Sequence, residues 1–245
     1  TSEAVTSLIS EAVIDRNRVL GIGIAIAAFV QSTTGTVVQA PYLGWQEVEL
    51  GNEMSRRTGH PVNVENIADA INQAEQTTGT VRGIEDVFLI HCSVTCGGSL
   101  SHQGKLIRGA NFSAGHIGHL PMGKSSLVCS CGAMDCLNVH ASGWSVLASL
   151  GRIDSQSYKT KDNELYAGAM IELLAENPDR DTPEGEALFQ AGWCLGRALR
   201  IVSLIMDPQA IVLAGKLAES SAYVGGCTAA LSELSAEQPH KMPAL

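Results

Sequence analysis

The sequence has few charged and few aromatic residues. Charged residues make up 17% of its 245 positions and aromatic residues 4%, and an average soluble protein carries about 25% charged residues. With 45% apolar residues, this composition excludes an intrinsically disordered chain. The sequence also lacks a long hydrophobic run: its most apolar stretch, residues 19–30, is shorter than the roughly 20 residues that span a bilayer. We therefore expect no contact with a membrane.

Basic residues are scarce too. The chain has 16 Lys and Arg against 25 Asp and Glu, which gives a net charge of −9. Such a balance argues against a chain that binds nucleic acid by itself. No secretory signal is found at the start, because residues 1–17 are polar and amphipathic. We therefore expect a cytoplasmic protein.

The seven cysteines do not form the even, spread set of a secreted disulfide framework. Three of them lie within eight residues, at positions 129, 131 and 136, which favours a metal site in a reducing compartment. The other four are expected to be small apolar packing residues: Cys92, Cys96, Cys194 and Cys227.

His119 completes a metal-binding pattern with the three clustered cysteines. The spacing is H-x9-C-x-C-x4-C over His119, Cys129, Cys131 and Cys136. Three thiolates and one imidazole are a ligand set that zinc binds in a tetrahedron, and Gly132 gives the loop freedom to turn. Four protein ligands leave no coordination position open for a substrate. The pattern therefore predicts structural rather than catalytic Zn²⁺.

Hydrophobic periodicity predicts alternating strands and helices, hence an α/β fold. A hairpin is expected around Gln103 and Gly104. The predicted strands are 19–27, 36–39, 61–65, 87–94 and 210–214, and the predicted helices are 3–15, 47–58, 67–76, 139–149, 163–175, 184–206 and 218–234.

The residues around the metal pattern resemble the signature of the ROK family, which comprises repressors, uncharacterised open reading frames and sugar kinases. The family pattern A-G-E-x-G-H followed by C-x-C-G-x-x-G-C-L-E is similar to AGHIGH at 114–119 and CSCGAMDCLN at 129–138. Shorter similarities cover much of the remaining chain, at residues 21–25, 40–45, 61–66 and 207–217.

The resemblance implies a two-lobed actin-like ATPase fold, as in sugar kinases and other ribonuclease H-like proteins, with a zinc-binding loop. Residues 1–80 would be the remainder of the N-terminal lobe, and residues 81–245 the C-terminal lobe with the zinc site. Family members are homodimers or homotetramers, and the repressors carry an N-terminal helix-turn-helix. We expect a DNA-binding domain upstream of Thr1 and a further helix after Leu245.

The sequence departs from the family's kinases at the catalytic positions. The family's general base follows a Glu-Asn pair, and here Ile67, which cannot accept a proton, follows Glu65 and Asn66. Asp69 lies about 200° around a helix from that position. The family's G-T-G-x-G-G phosphate loop aligns with SVTCGG at 93–98, where two glycines are replaced. We therefore expect negligible kinase activity.

The resemblance also implies a sugar pocket formed by Asn66, His116, His119 and Asn138, with Ile67 at the base position. Asn66 and His119 match the family, whereas His116, Asn138 and Ile67 replace carboxylates. Two interpretations follow. In the first, the pocket holds a different, anionic ligand with which His116 pairs; in the second, it has lost its ligand and serves only in oligomerisation.

The sequence thus predicts the ligand-sensing body of a ROK-type transcriptional regulator that lacks enzymatic activity. Its effector would be a sugar or sugar derivative, and it would reach DNA only through the missing N-terminal domain. The first alternative is an ATP-dependent kinase of a hexose or amino sugar. The second is a structural oligomer that binds neither ligand nor operator.

Overall fold

The computed structural model describes residues 2–12, 15–123, 125–154 and 162–235. Residues 13 and 14 of the predicted helix 3–15, and the chain end at Leu245, lie outside the described residues. The chain divides into two compact units, Thr1–Ala70 and residues from Ile71 onward. The division falls at residue 70, ten residues before the boundary that the sequence predicts.

The first unit contains a parallel strand pair and a small antiparallel sheet. Strand β1 (Ile22–Ile26) pairs with β5 (Val62–Asn66), with Ile24 opposite Val64. The second sheet has the order β2-β3-β4. Its strands are Phe29–Gln31, Thr36–Ala40 and Trp45–Val48, and the helices are α1 (Ser2–Glu11), α2 (Leu50–Thr58) and α3 (Ile67–Thr77), which continues into the second unit.

Small aliphatic side chains fill the core of the first unit, as the composition requires. Val37 and Val64 are fully buried, and Met54 of α2 packs with them. One prediction is wrong in part: residues 47 and 48, predicted as the start of a helix, belong to β4, because Val48 pairs with Val37 across the antiparallel sheet. Helix α2 ends as predicted at Gly59, whose φ of 75° suits glycine.

The second unit is built on a four-stranded sheet of order β8-β7-β6-β9. Strand β6 (Val87–Cys92) is antiparallel to β7 (Cys96–His102) and parallel to β9 (Ala210–Ala214). The predicted hairpin between β7 and β8 (Lys105–Leu106) is confirmed. Its turn residues Gln103 and Gly104 both have positive φ, 51° and 70°, as two-residue hairpin turns require.

Five α-helices complete the described part of the second unit: α4 (Asn138–Ala141), α5 (Gly143–Ser149), α6 (Asn163–Ala175), α7 (Pro183–Met206) and α8 (Ser221–Ser235). Helix α7 begins at Thr182, whose hydroxyl accepts the N–H of Gly185 at 3.1 Å. Helices α7 and α8 approach closely, since a Cβ on Gly192 would lie 1.9 Å from the carbonyl oxygen of Tyr223. Buried residues of both helices belong, together with Trp144, to the large hydrophobic core of this unit.

Within the described residues, α7 is the one helix long and apolar enough to cross a membrane. Its most apolar window has a mean hydropathy of 1.2, and half of that window is buried inside the protein. The core helix of a soluble protein satisfies the same criterion, so α7 is weak evidence for a membrane span.

Candidate metal centre and the adjoining turn

The four predicted metal ligands meet in the second unit. The ligand atoms of His119, Cys129, Cys131 and Cys136 all lie within 4.8 Å of one another. The Sγ of Cys129 is 3.6 Å from Nδ1 of His119, and the Sγ atoms of Cys131 and Cys136 are 3.6 Å apart. Tetrahedral zinc with ordinary bond lengths separates two sulfurs by about 3.8 Å and sulfur from nitrogen by about 3.6 Å. The group can therefore hold a metal ion of this size.

A tight turn positions the first two cysteines. The N–H of Gly132 donates to the carbonyl of Cys129 at 2.9 Å, and the N–H of Cys129 donates to the carbonyl of Ala133 at 2.8 Å. Gly132 has φ of 87°, which favours glycine. Cys136 returns through an isolated bridge with Pro121, which brings it beside the segment of His119.

Burial shifts the pKa values of the candidate ligands His119 and Cys136. Burial, with a smaller contribution from the nearby His116, lowers the pKa of His119, so its imidazole is held neutral as a ligand must be. Burial and the neighbouring Cys129 and Cys131 raise the pKa of Cys136 to about 12. Three thiolates at this spacing repel one another, and a divalent cation is the charge that would stabilise them.

Asp135 organises the loop around the metal ligands, a role that sequence reasoning missed. Its Oδ1 accepts the N–H of Ser125 at 3.0 Å and lies 2.7 Å from Nε2 of His140. Its main chain bonds to Met122 and Leu127. Asp135 has φ of 62°, and it stands where the family signature has glycine. That departure was the signal that could have pointed to a structural role.

Asn138 lies at the start of α4 and is buried, with 7% of its surface exposed. Its Oδ1 accepts the backbone N–H of Cys96 at 2.7 Å. A Cβ on Gly118 would lie 2.6 Å from its Nδ2, so glycine is needed beside it. Asn138 therefore joins the loop of candidate metal ligands at residues 129–136 (the metal loop) to the first residue of β7.

The turn between β6 and β7 forms main-chain hydrogen bonds within itself and with the start of α5. The N–H of Ser93 donates to the carbonyl of Thr95 at 3.0 Å. The carbonyls of Ser93 and Val94 accept the N–H groups of Gly143 and Trp144, at 2.7 and 3.2 Å. The N–H groups of Ser93 and Cys96 therefore both have acceptors within the protein. So do the first two N–H groups of α5.

His116 precedes the short 3-10 turn Ile117–His119. Its carbonyl accepts the N–H of His119 at 3.2 Å. The segment is held against β7 by Gly115, whose carbonyl accepts the N–H of Gly98 at 3.0 Å. A Cβ on Gly115 would lie 2.5 Å from the Gly98 carbonyl oxygen. The structure thus places His116 next to the candidate metal ligand His119, within one segment.

Asn66 belongs to the first unit, where it ends β5. Its Oδ1 accepts the N–H of Ala68 at 2.8 Å and that of Asp69 at 3.4 Å, so it caps α3. Its Nδ2 donates to the carbonyl of Ala28 at 2.8 Å. Ile67 follows as the first residue of the helix. The amide of Asn66 thus has structural partners on both of its polar atoms.

Comparison with known proteins places these features in a family context. The model of the ROK family matches residues 1–244. A xylose repressor of Caldicellulosiruptor bescii is 31% identical over 203 residues, which are 81% of this chain and 50% of the repressor. A glucokinase of Streptomyces coelicolor is 27% identical over 243 residues, 91% of this chain and 74% of the glucokinase. The chain spans about half the length of the xylose repressors that it matches.

Solved structures share the fold. A glucokinase of Streptomyces griseus in complex with glucose and AMPPNP superposes with a TM-score of 0.80 and 23% identity, over 99% of this chain and 80% of that one. A ROK family transcriptional regulator, a homologue of the Escherichia coli MLC protein, superposes with a TM-score of 0.77 and 24% identity. That match covers 95% of this chain and 59% of the regulator. These likenesses confirm the predicted actin-like sugar-kinase fold.

Proposed function

The chain belongs to the ROK family, and we propose that it is the ligand-sensing body of a transcriptional regulator without kinase activity. Its relatives include both proteins named xylose repressor and proteins named glucokinase. The choice between these functions therefore depends on this chain's own residues.

One contact carries the proposal: the bond from the N–H of Cys96 to Oδ1 of Asn138. By the family resemblance, residue 96 lies in the phosphate loop and residue 138 stands where a Glu contacts the sugar. A phosphate loop needs free backbone amides, and a sugar site needs free acceptors. Here the amide and the acceptor satisfy each other. A kinase would lose a phosphate contact and a sugar contact at once.

The position of the general base supports the same conclusion. Ile67 carries no group that can take a proton from a sugar hydroxyl. The preceding Asn66 uses its amide to cap α3 and to bind the carbonyl of Ala28. Neither residue is equipped to activate a hydroxyl.

We assign the metal group to structural Zn²⁺, held by His119, Cys129, Cys131 and Cys136. The ion would supply a cross-link between the segment of His116 and the loop that leads to Asn138. Both residues belong to the proposed ligand pocket, together with His119. The zinc would therefore hold the pocket in shape.

The proposed effector is a sugar or sugar derivative, with an anionic one favoured. His116 and Asn138 replace carboxylates of the family pattern, which removes negative charge from the pocket. We further propose that the protein is a cytoplasmic homodimer or homotetramer, and that DNA is bound by a domain upstream of residue 1. The net charge of −9 agrees with a body that does not itself bind DNA.

Isothermal titration tests the proposal directly. The zinc-loaded chain is titrated with glucose, xylose and their 6- or 5-phosphates, and the same mixtures with ATP are assayed for ADP. We expect heat from at least one compound and no ADP above the protein-free rate. His116→Ala should abolish the heat of an anionic ligand and leave the melting temperature unchanged. Absence of heat from every compound would sink the sensor function.

A sugar kinase remains the second candidate, since the Streptomyces coelicolor glucokinase matches 91% of this chain. This function requires that the turn at residues 93–96 opens to admit triphosphate. ADP production that depends on both a hexose and this protein, and that is lost in Asn66→Ala, would establish it.

A further inference from the structure

Cys92 and Cys96 form a thiol pair that the metal centre does not use. Cys92 ends β6 and Cys96 begins β7, and the two residues stand directly opposite each other in the antiparallel ladder. Cys92 is fully buried and Cys96 is 5% exposed. Both are free cysteines, separated by the three-residue turn at 93–95.

The hydrogen bonds show which kind of ladder pair this is. The N–H of Cys96 donates to Asn138 and not across to β6. Two residues on, the N–H of Gly98 likewise donates away from β6, to the carbonyl of Gly115. Cys92 and Cys96 are therefore a non-hydrogen-bonded pair, in which opposite Cα atoms lie about 4.5 Å apart and the side chains are closest. That separation is within the range of disulfides, about 4.4–6.8 Å.

The thiols are sheltered in the resting protein. The Cys96 thiol donates to the carbonyl of Ala141 at 3.4 Å, and the hydroxyl of Tyr223 donates to the same carbonyl at 2.7 Å. Hydrogen bonding with the Cys92 thiol, and burial, raise the pKa of Cys96 well above its usual value. A protonated thiol reacts slowly, so the pair is expected to oxidise slowly.

We propose that Cys92 and Cys96 are a redox modification site, at which a hydroperoxide forms a reversible disulfide across the base of the turn. The Cys96 sulfur, after loss of its proton, attacks one peroxide oxygen; the O–O bond breaks, and the sulfenic acid and hydroxide form. The Cys92 sulfur then attacks the Cys96 sulfur and expels the second hydroxide. The two thiol protons convert both hydroxides into water, so that two thiols and one hydrogen peroxide give one disulfide and two waters.

The modification would fix the turn whose carbonyls bind the start of α5. The disulfide removes the hydrogen bond from the Cys96 thiol to Ala141 and leaves the bond from the Cys96 N–H to Asn138 in place. Because both cysteines lie in the same short hairpin, the bond closes without moving another element. Thiol reductants reverse it by exchange.

Peptide mapping of the zinc-loaded full chain tests the proposal. The protein is treated with hydrogen peroxide, quenched with catalase, denatured, alkylated with iodoacetamide and cut with trypsin. The peptide of residues 83–105 contains Cys92 and Cys96 and no other cysteine. We expect this peptide to lose two hydrogens and take up no alkyl group, and dithiothreitol before alkylation should restore two alkylated cysteines.

Oxidation of Met134, whose surface is 63% exposed, measures the peroxide dose within the same sample. Two alkylated cysteines in peptide 83–105 at a dose that fully oxidises Met134 would overturn the proposal. So would sulfinic acid on either cysteine or a cross-link to Cys227. Cys227→Ala, which removes the neighbouring buried thiol, should leave the loss of two hydrogens intact, whereas Cys92→Ala should abolish it.

Discussion

Asn138 accepts the backbone N–H of Cys96 at 2.7 Å, 42 residues away along the chain. The bond is buried, and it joins the metal loop to the strand that begins beside the turn at 93–95. Its loss would leave a buried amide without an acceptor.

We therefore expect Asn138→Ala to lower the free energy of unfolding by about 1–3 kcal/mol, the cost of an unsatisfied buried donor. Urea unfolding followed by circular dichroism measures this. The matched control is Asn52→Ala, which removes an exposed bond to Glu49 and should change stability by less than about 0.5 kcal/mol. Equal losses in the free energy of unfolding of the two variants would mean that the buried bond stabilises the protein no more than the exposed one.

The metal group should bind one zinc ion per chain. Cys136→Ser removes a buried ligand and should reduce the zinc content, measured by elemental analysis after gel filtration, at least fivefold. Cys194→Ser, outside the group, should keep the full content. Zinc retained by Cys136→Ser, or absent from the wild-type chain, would refute the assignment.

Asp135 combines a left-handed backbone with two side-chain contacts, and the two contributions can be separated. Asp135→Ala loses both the contacts and the tolerance of positive φ, whereas Asp135→Gly loses only the contacts. We expect the alanine variant to be less stable than the glycine variant by about 1 kcal/mol. Thermal unfolding of the zinc-loaded proteins measures the difference. A glycine variant less stable than the alanine variant would show that residue 135 can leave its positive φ without loss of stability.

The close packing of α7 on α8 predicts a contrast between two glycines. Gly192→Ala would place a Cβ 1.9 Å from the carbonyl oxygen of Tyr223, and we expect a loss of at least about 2 kcal/mol. Gly168→Ala in α6 meets no atom within 4 Å and should stabilise the helix by about 0.5–1 kcal/mol. Chemical denaturation distinguishes the opposite signs, and a stabilising Gly192→Ala would contradict the packing.

A carboxylate at position 67 alone should not create a kinase. Ile67→Asp supplies the missing proton acceptor but leaves the amide of Cys96 bonded to Asn138. We expect ADP production with hexoses to stay at the protein-free rate in a coupled assay. Measurable turnover in this variant would show that the turn still accommodates triphosphate, and that only the base had been lost.

The clustering of the four candidate metal ligands could be predicted from the sequence because their spacing and residue types are both restricted by the chemistry of zinc. The contacts of Asn138 and Asn66 could not. A pattern assigns a polar residue to a pocket, but it does not show that a backbone amide 42 residues away has already taken the acceptor. Strand β4 was missed for a related reason: Val48 is in a strand because of Val37, a pairing that local propensity does not contain.

The cross-strand cysteines show the same limit. Composition alone favoured apolar packing for Cys92 and Cys96, and both are indeed buried. Only the register of β6 and β7 reveals that they face each other. The contact of Asp135 with His140 was likewise hidden, because His140 carries no recognisable motif.

Within the described residues, the parallel pair and the four-stranded sheet each end in a strand paired on one side only: β1 with β5, and β9 with β6. Such strands present a row of unused donors and acceptors that another polypeptide can match. Residues 1–245 expressed alone should consequently associate through these edges as concentration rises, with slow growth of light scattering and of thioflavin fluorescence. Charged substitutions at the outer positions of β9 would be the rational first step toward crystallisable material.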